Sequence, residues 1–151
     1  PAAAAAAAAA GLAAPLDLAP LADAASAYVI GRGATLCLAQ EAAIKLKELC
    51  GLHAEAISAA EVMHGPKALA GGRLPVLGLA AGEAGGGVAE ACAALEELGS
   101  PVVLARAPEE DGFFGLLRLL GSLYPAVSAL AVARGLDPDR PRALTKVTKT
   151  S

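Results

Sequence analysis

The residues able to do chemistry crowd into one stretch, Glu41 to Pro66, which holds four glutamates, two lysines and both histidines of the chain. Glu41, Lys45 and Glu48 recur at i, i+4 and i+7, so on a helix they form one outward row. Ala39, Ala42, Ala43, Leu46 and Cys50 then fall on the opposite side and are expected to pack on a core. Taken alone, the row is a solvated face with a Glu-to-Lys pair that contributes a few tenths of a kcal/mol. Its chemical potential is proton transfer, because a carboxylate beside an ammonium can shuttle a proton. His64 precedes Gly65-Pro66, a sequence that demands a rigid turn and not a helix interior. Further on, Pro138-Asp-Arg-Pro-Arg142 leads into Leu144-Thr-Lys146-Val-Thr148, an arm ending in an amine able to attack a carbonyl.

The elements that must position these groups alternate. Ala27–Gly31 reads as a short strand that breaks at Gly31-Arg-Gly33 into the helix carrying Glu41 and Glu48. Ala54–Ser58 is a second strand, with a helical turn starting at Ser58 or Ala59 and ending before Pro66. Residues 75–80 form a third strand, continuous and apolar as a strand covered on both faces should be. A glycine-rich turn over 82–87 leads to a helix from Val88 to Leu98, capped by Gly99. Residues 101–105 make a fourth strand, and a helix of about 20 residues lies within 115–134, bent near Pro125 and ended by Gly135. Phe113–Leu117 offers a fifth strand. This alternation predicts an α/β fold, a three-layer α/β/α open parallel sheet of four to five strands. Ligands are expected at the carboxyl ends of its strands.

Bulk properties narrow the function. The 151 residues are one domain's worth, 56% hydrophobic but only 3% aromatic, so the core must be aliphatic. A net charge of -3 without a basic stripe argues against a nucleic-acid partner. Apart from the N-terminal alanines, no run of 18 apolar residues is free of Gly, Pro and charge, so no membrane span is expected. Nor is a signal peptide expected, since a basic n-region and a leucine-rich h-region are both missing. Three scattered cysteines predict reduced thiols in a cytoplasmic protein, and the two histidines lack metal-ligand spacing, so neither a metal nor a cofactor is expected. Gly31-Arg-Gly33 lacks the further glycine and the Lys-Ser/Thr of the nucleotide-binding loops. Residues 1–20, with their alanine run and prolines, read as a linker or the end of an upstream helix, and 21–151 as the folded domain.

In order, Gly31-Arg-Gly33, Glu41-Ala-Ala-Ile-Lys-Leu-Lys-Glu48, His53-Ala-Glu-Ala56, Glu61-Val-Met-His-Gly-Pro66 and the arm Asp137-Pro-Asp-Arg-Pro-Arg142…Leu144-Thr-Lys146-Val-Thr148 resemble the second, carboxyl-terminal sugar isomerase (SIS) domain of the glucosamine-6-phosphate synthase family. The resemblance runs from about Tyr28 to Thr148 and implies a flavodoxin-like fold. It implies that Glu48 moves a proton between C1 and C2 of an open-chain sugar phosphate. It further implies that His64 assists ring opening in the neighbouring subunit's site, and that Lys146 binds the carbonyl end, with the tail 136–151 catalytic. Lys45, Glu41 and Thr35 are the implied substrate-binding residues. The implied partners are a sugar-phosphate substrate, a second copy sharing the active site, and a first SIS domain of the same polypeptide.

Two departures from the family pattern shape the expected activity. The Ser/Thr-rich phosphate loop of a first SIS domain has no counterpart here, since Gly31–Thr35 offers only Thr35. No glutaminase domain is expected ahead of this one, and Lys146-Val-Thr-Lys-Thr-Ser resembles the free-standing relatives that deaminate glucosamine 6-phosphate. The expected activity is therefore that of a phosphosugar deaminase/isomerase half, catalytically silent in isolation. The alternatives are the isomerase domain of glutamine–fructose-6-phosphate aminotransferase and a non-catalytic sugar-phosphate sensor.

Overall fold

The computed structural model of the chain describes residues 16–108, 111, 113–142 and 144. Four parallel strands, β1 (Ser26–Gly31), β2 (His53–Ser58), β3 (Val76–Ala80) and β4 (Val102–Arg106), lie in the order β2-β1-β3-β4. They alternate with helices α1 (Ala34–Cys50), α2 (Ala59–Val62), α3 (Gly85–Glu97) and α4 (Phe113–Ala133). β1 pairs with β2 from Ser26–His53 to Gly31–Ser58, and with β3 from Tyr28–Val76 to Ile30–Gly78.

Sheet periodicity divides the core in two. Val29, Leu77 and Leu79 point to one face, where they meet Leu46 of α1 and Leu123 and Val127 of α4. Tyr28, Ile30 and Val76 point to the other, against Val62 of α2 and Val88 and Leu95 of α3. The three expected layers are present, and the sheet separates α1 and α4 from α2 and α3.

Two elements differ from the sequence reading. Phe113–Leu117 is not a strand but the first turn of α4, so the sheet has four strands among the described residues. A short apolar run carries no period to tell the two apart. Helix α3 begins at Gly85, three residues before the expected Val88, because the turn is made earlier by Gly82 at φ 60°. A Cβ on Gly85 would lie 3.5 Å from the carbonyl carbon of Ala80, so the helix start rests closely on the end of β3. The folded unit also reaches further back than residue 21, since Leu18 is 3% exposed and packed in the core under α1 and α4.

Arg134, just beyond α4, ties this layer together. Its Nε donates to the Cys50 carbonyl at 2.7 Å, while Nη1 faces the carbonyls of Leu21, Ala22 and Ala24 at 3.2, 2.6 and 3.0 Å. Helix α4 is long and apolar enough to cross a membrane by length and composition alone. Its inner side, including Leu119, Leu123 and Val127, is nonetheless buried in the core.

Candidate functional site

Helix α1 carries the site because its inner face is built for close packing. Ala39, Ala42, Ala43, Leu46 and Cys50 are buried, as the spacing predicted, and their small side chains draw the helix onto the sheet and α4. The helix ends in a left-handed Gly51 at φ 58°, with the Gly51 and Leu52 amides both closing on the Leu46 carbonyl. That stop leaves the last outward turn, with Glu48, at the surface.

The outward row is a connected charge array. Lys45 Nζ donates to Glu48 Oε2 at 2.7 Å and lies 4.0 Å from Glu41 Oε1. Tyr124, from α4, donates its hydroxyl to Glu41 Oε1 at 3.0 Å. The bond to Glu48 raises the Lys45 pKa above its usual value, so the ammonium persists at neutral pH. The bond to Glu41 likewise raises that of Tyr124, which stays a phenol. Tyr124 escaped the sequence reading because 83 residues separate it from Glu41. Being one of only two tyrosines was the one signal it gave.

Glu48 opens onto a cleft of about 380 Å³ between the end of α1 and the segment that follows α4. Lys47 and Gly51 share its wall with Asp137, Arg140, Arg142 and Leu144, so three cationic side chains edge a mostly apolar hollow. The arm 137–142 and Leu144 therefore reach the Glu48 end of the helix. Lys146 lies outside the described residues.

This cleft is not at the carboxyl ends of the strands, where ligands were expected. A helix joining two parallel strands runs antiparallel to them, so its last turn returns to their amino edge. Thr35, at the other end of α1, is roughly 20 Å from Glu48 at the helical rise. Thr35 is also buried and spoken for: its Oγ1 accepts from the Arg32 amide and donates to the Arg32 carbonyl, both at 3.0 Å. It caps its own turn and cannot reach a ligand at Glu48. Gly31 must be glycine for the same turn, because a Cβ there would collide with the Thr35 carbonyl.

His64 sits exposed in a turn, its amide donating to the Glu61 carbonyl at 3.0 Å. The Tyr28 hydroxyl holds the neighbouring Pro66 carbonyl at 3.2 Å. This turn follows α2, whose Val62 and adjoining Met63 pack on the face opposite α1. The sheet stands between His64 and Glu48, and one chain does not bring them together.

Residues 20–105 match the SIS domain family. The chain belongs to that family. This SIS domain is 35% identical over 134 residues to glutamine–fructose-6-phosphate aminotransferase (isomerizing) of Thermococcus kodakarensis, an alignment covering 79% of the chain and 22% of the relative. The chain thus spans about a fifth of the length of that curated relative. Among solved structures, a Silicibacter pomeroyi protein described as a phosphosugar isomerase superposes with a TM-score of 0.69 at 36% identity, covering 82% of this chain and 43% of that one. Glucosamine-6-phosphate deaminase of Thermotoga maritima shares the fold, with a TM-score of 0.67 at 24% identity, 83% of this chain and 41% of that one.

Proposed function

We propose that this SIS domain is the carboxyl-terminal half of a phosphosugar deaminase/isomerase, acting on glucosamine 6-phosphate and fructose 6-phosphate by aldose-ketose proton transfer, with water consumed and ammonia released in the deamination. The observation that carries the reading is Glu48 at the mouth of the cleft, its carboxylate 2.7 Å from the persistent ammonium of Lys45. As a carboxylate, Glu48 takes the C2 proton of the open-chain aldose and returns it to C1. Lys45 and Glu41 hold its place beside the sugar, and Lys146 engages the carbonyl end. His64 opens the ring, and its position across the sheet supports supply from a second subunit, in a homodimer with shared sites. A cytoplasmic setting with reduced thiols goes with this reading.

A second reading is favoured by the 35% identity to an aminotransferase: the same proton transfer would serve amination of fructose 6-phosphate. Exchange of the sugar C2 hydrogen with heavy water tests the shared step in the full-length parent. Glu48→Gln should slow exchange by on the order of 10²- to 10⁴-fold while substrate still binds. Exchange at the wild-type rate would remove Glu48 from the chemistry. Glutamine-dependent formation of glucosamine 6-phosphate, as opposed to ammonia release from it, separates the two readings.

A further inference from the structure

Lys45 pairs with the carboxylate that its own helix favours less. On an isolated helix a glutamate four residues ahead of a lysine pairs better than one that follows it. Glu41 stands in that favoured place, and Glu48 follows Lys45 by three. The structure has the reverse pairing: Lys45 Nζ lies 2.7 Å from Glu48 Oε2 and 4.0 Å from Glu41 Oε1. Each of the two carboxylate side chains is 33% exposed, so burial does not choose between them.

What distinguishes the two is Tyr124. Its hydroxyl donates to Glu41 Oε1 at 3.0 Å, the same oxygen that faces Lys45. The phenol keeps its proton, because the bond to Glu41 raises its pKa. Tyr124 is also firmly placed, since Leu123 and Val127 beside it on α4 are buried in the core with Leu46 of α1. Glu41 Oε1 thus has a donor from outside its own helix, and the ammonium is left for Glu48. Exposed ion pairs and single hydrogen bonds are of similar worth, so one phenol is enough to decide which carboxylate the ammonium takes.

We propose that Tyr124 is a positioning residue: by occupying Glu41 Oε1 it directs the Lys45 ammonium to Glu48, and so fixes that carboxylate at the mouth of the cleft. The inference rests on the phosphosugar reading for what Glu48 does, and deepens it by adding a residue of α4 to the row on α1. Without the phenol, Lys45 returns to the partner its helix favours. Glu48 then loses the donor that orients it, and a base about 1 Å out of place costs rate and not substrate affinity.

The test is made in the full-length parent with Tyr124→Phe, which keeps the ring and removes the hydroxyl. Exchange of the sugar C2 hydrogen should fall about 10-fold at saturating substrate, with KM changed by less than about twofold. The loss should depend on the charge of Glu41. In a Glu41→Gln background Lys45 has no second carboxylate to take, so adding Tyr124→Phe should cost less than about twofold further. Crystal structures of the parent and of Tyr124→Phe should show Lys45 Nζ moving to within about 3 Å of Glu41 and out of hydrogen-bond reach of Glu48.

An unmoved Lys45–Glu48 pair would overturn the inference. The same fold-loss in both backgrounds would also overturn it, since a phenol that merely braced α4 against α1 would act regardless of the Glu41 charge. So would a loss confined to KM, or full exchange in Tyr124→Phe where Glu48→Gln loses it. Glu48→Gln reads the reaction separately: a moved Lys45 alongside wild-type exchange in Glu48→Gln would sink the reaction and leave the positioning role standing.

Discussion

Removing the guanidinium of Arg134 while keeping its aliphatic stem, as in Arg134→Met, should destabilise the chain by about 3 kcal/mol. The figure follows from the donors. Nε makes one bond, to the Cys50 carbonyl at 2.7 Å. Nη1 is shared among the carbonyls of Leu21, Ala22 and Ala24, the shortest contact being 2.6 Å. Counting the shared donor once gives two charge-assisted bonds, each worth about 1.5 kcal/mol at the lower end of their range because the side chain is only half-buried. At 2–4 °C per kcal/mol for a domain of this size, Tm should fall by about 6–12 °C. Arg134→Lys should recover no more than half of this, since one ammonium cannot span carbonyls on both sides of the fork. Urea unfolding followed by circular dichroism measures both variants. A loss below about 0.5 kcal/mol for Arg134→Met, or full stability in Arg134→Lys, would show that the fork does not hold residues 21–24, α1 and α4 together.

The remaining predictions concern the core, the thiols and the shared site. Gly78→Ala should cost about 1–3 kcal/mol, because a Cβ there would collide with Cys92 Sγ and lie 2.9 Å from Leu104. Adding Cys92→Ala should restore part of the loss, and strict additivity in that double-mutant cycle would refute the collision. Burial lifts the Cys50 and Cys92 thiols from 9.0 to about 11, so they should resist alkylation in the native chain while exposed Cys37 reacts. Raised thiol values add stability that is fully present below pH 9 and is lost as pH rises toward 11, so urea midpoints should fall across that window. In the parent enzyme, mixing inactive His64→Ala and Glu48→Gln subunits should regenerate one working site per mixed dimer; no recovery despite proven exchange would place His64 in its own subunit's site.

How much of this was legible depended on the range of the interaction. The α1 row and its buried face followed from spacing within a single helix, and the parallel sheet followed from strands alternating with helices. Ser58 starts α2 as expected, its Oγ accepting the Ala60 amide at 3.3 Å. Local signals failed where tertiary contact set the outcome. The glycines that open α3 have poor helix propensity, yet Gly85 starts the helix against Ala80 at the end of β3. Thr35 looked available to a ligand because its sequence does not show that its hydroxyl closes its own turn. Tyr124 and Arg134 meet their partners from 83 and 84 or more residues away, beyond any periodic pattern. The placement of Glu48 at the amino edge was derivable from topology alone, given that the connecting helix must run back against the strands.

The Arg134 bonds join segments far apart in sequence: the guanidinium and the Ala22 carbonyl it holds are 112 residues apart. A ribosome adding some 5–20 residues per second needs on the order of ten seconds to cover that distance. During that interval β1, α1 and β2 can assemble as the emerging polypeptide lengthens, but Leu46 and Leu77 have no α4 to cover them. The carbonyls of Leu21, Ala22 and Ala24 meanwhile lack the Arg134 donor. Synthesis therefore holds a half-roofed sheet open until α4 and Arg134 appear, and a product truncated ahead of Arg134 lacks the groups that close it.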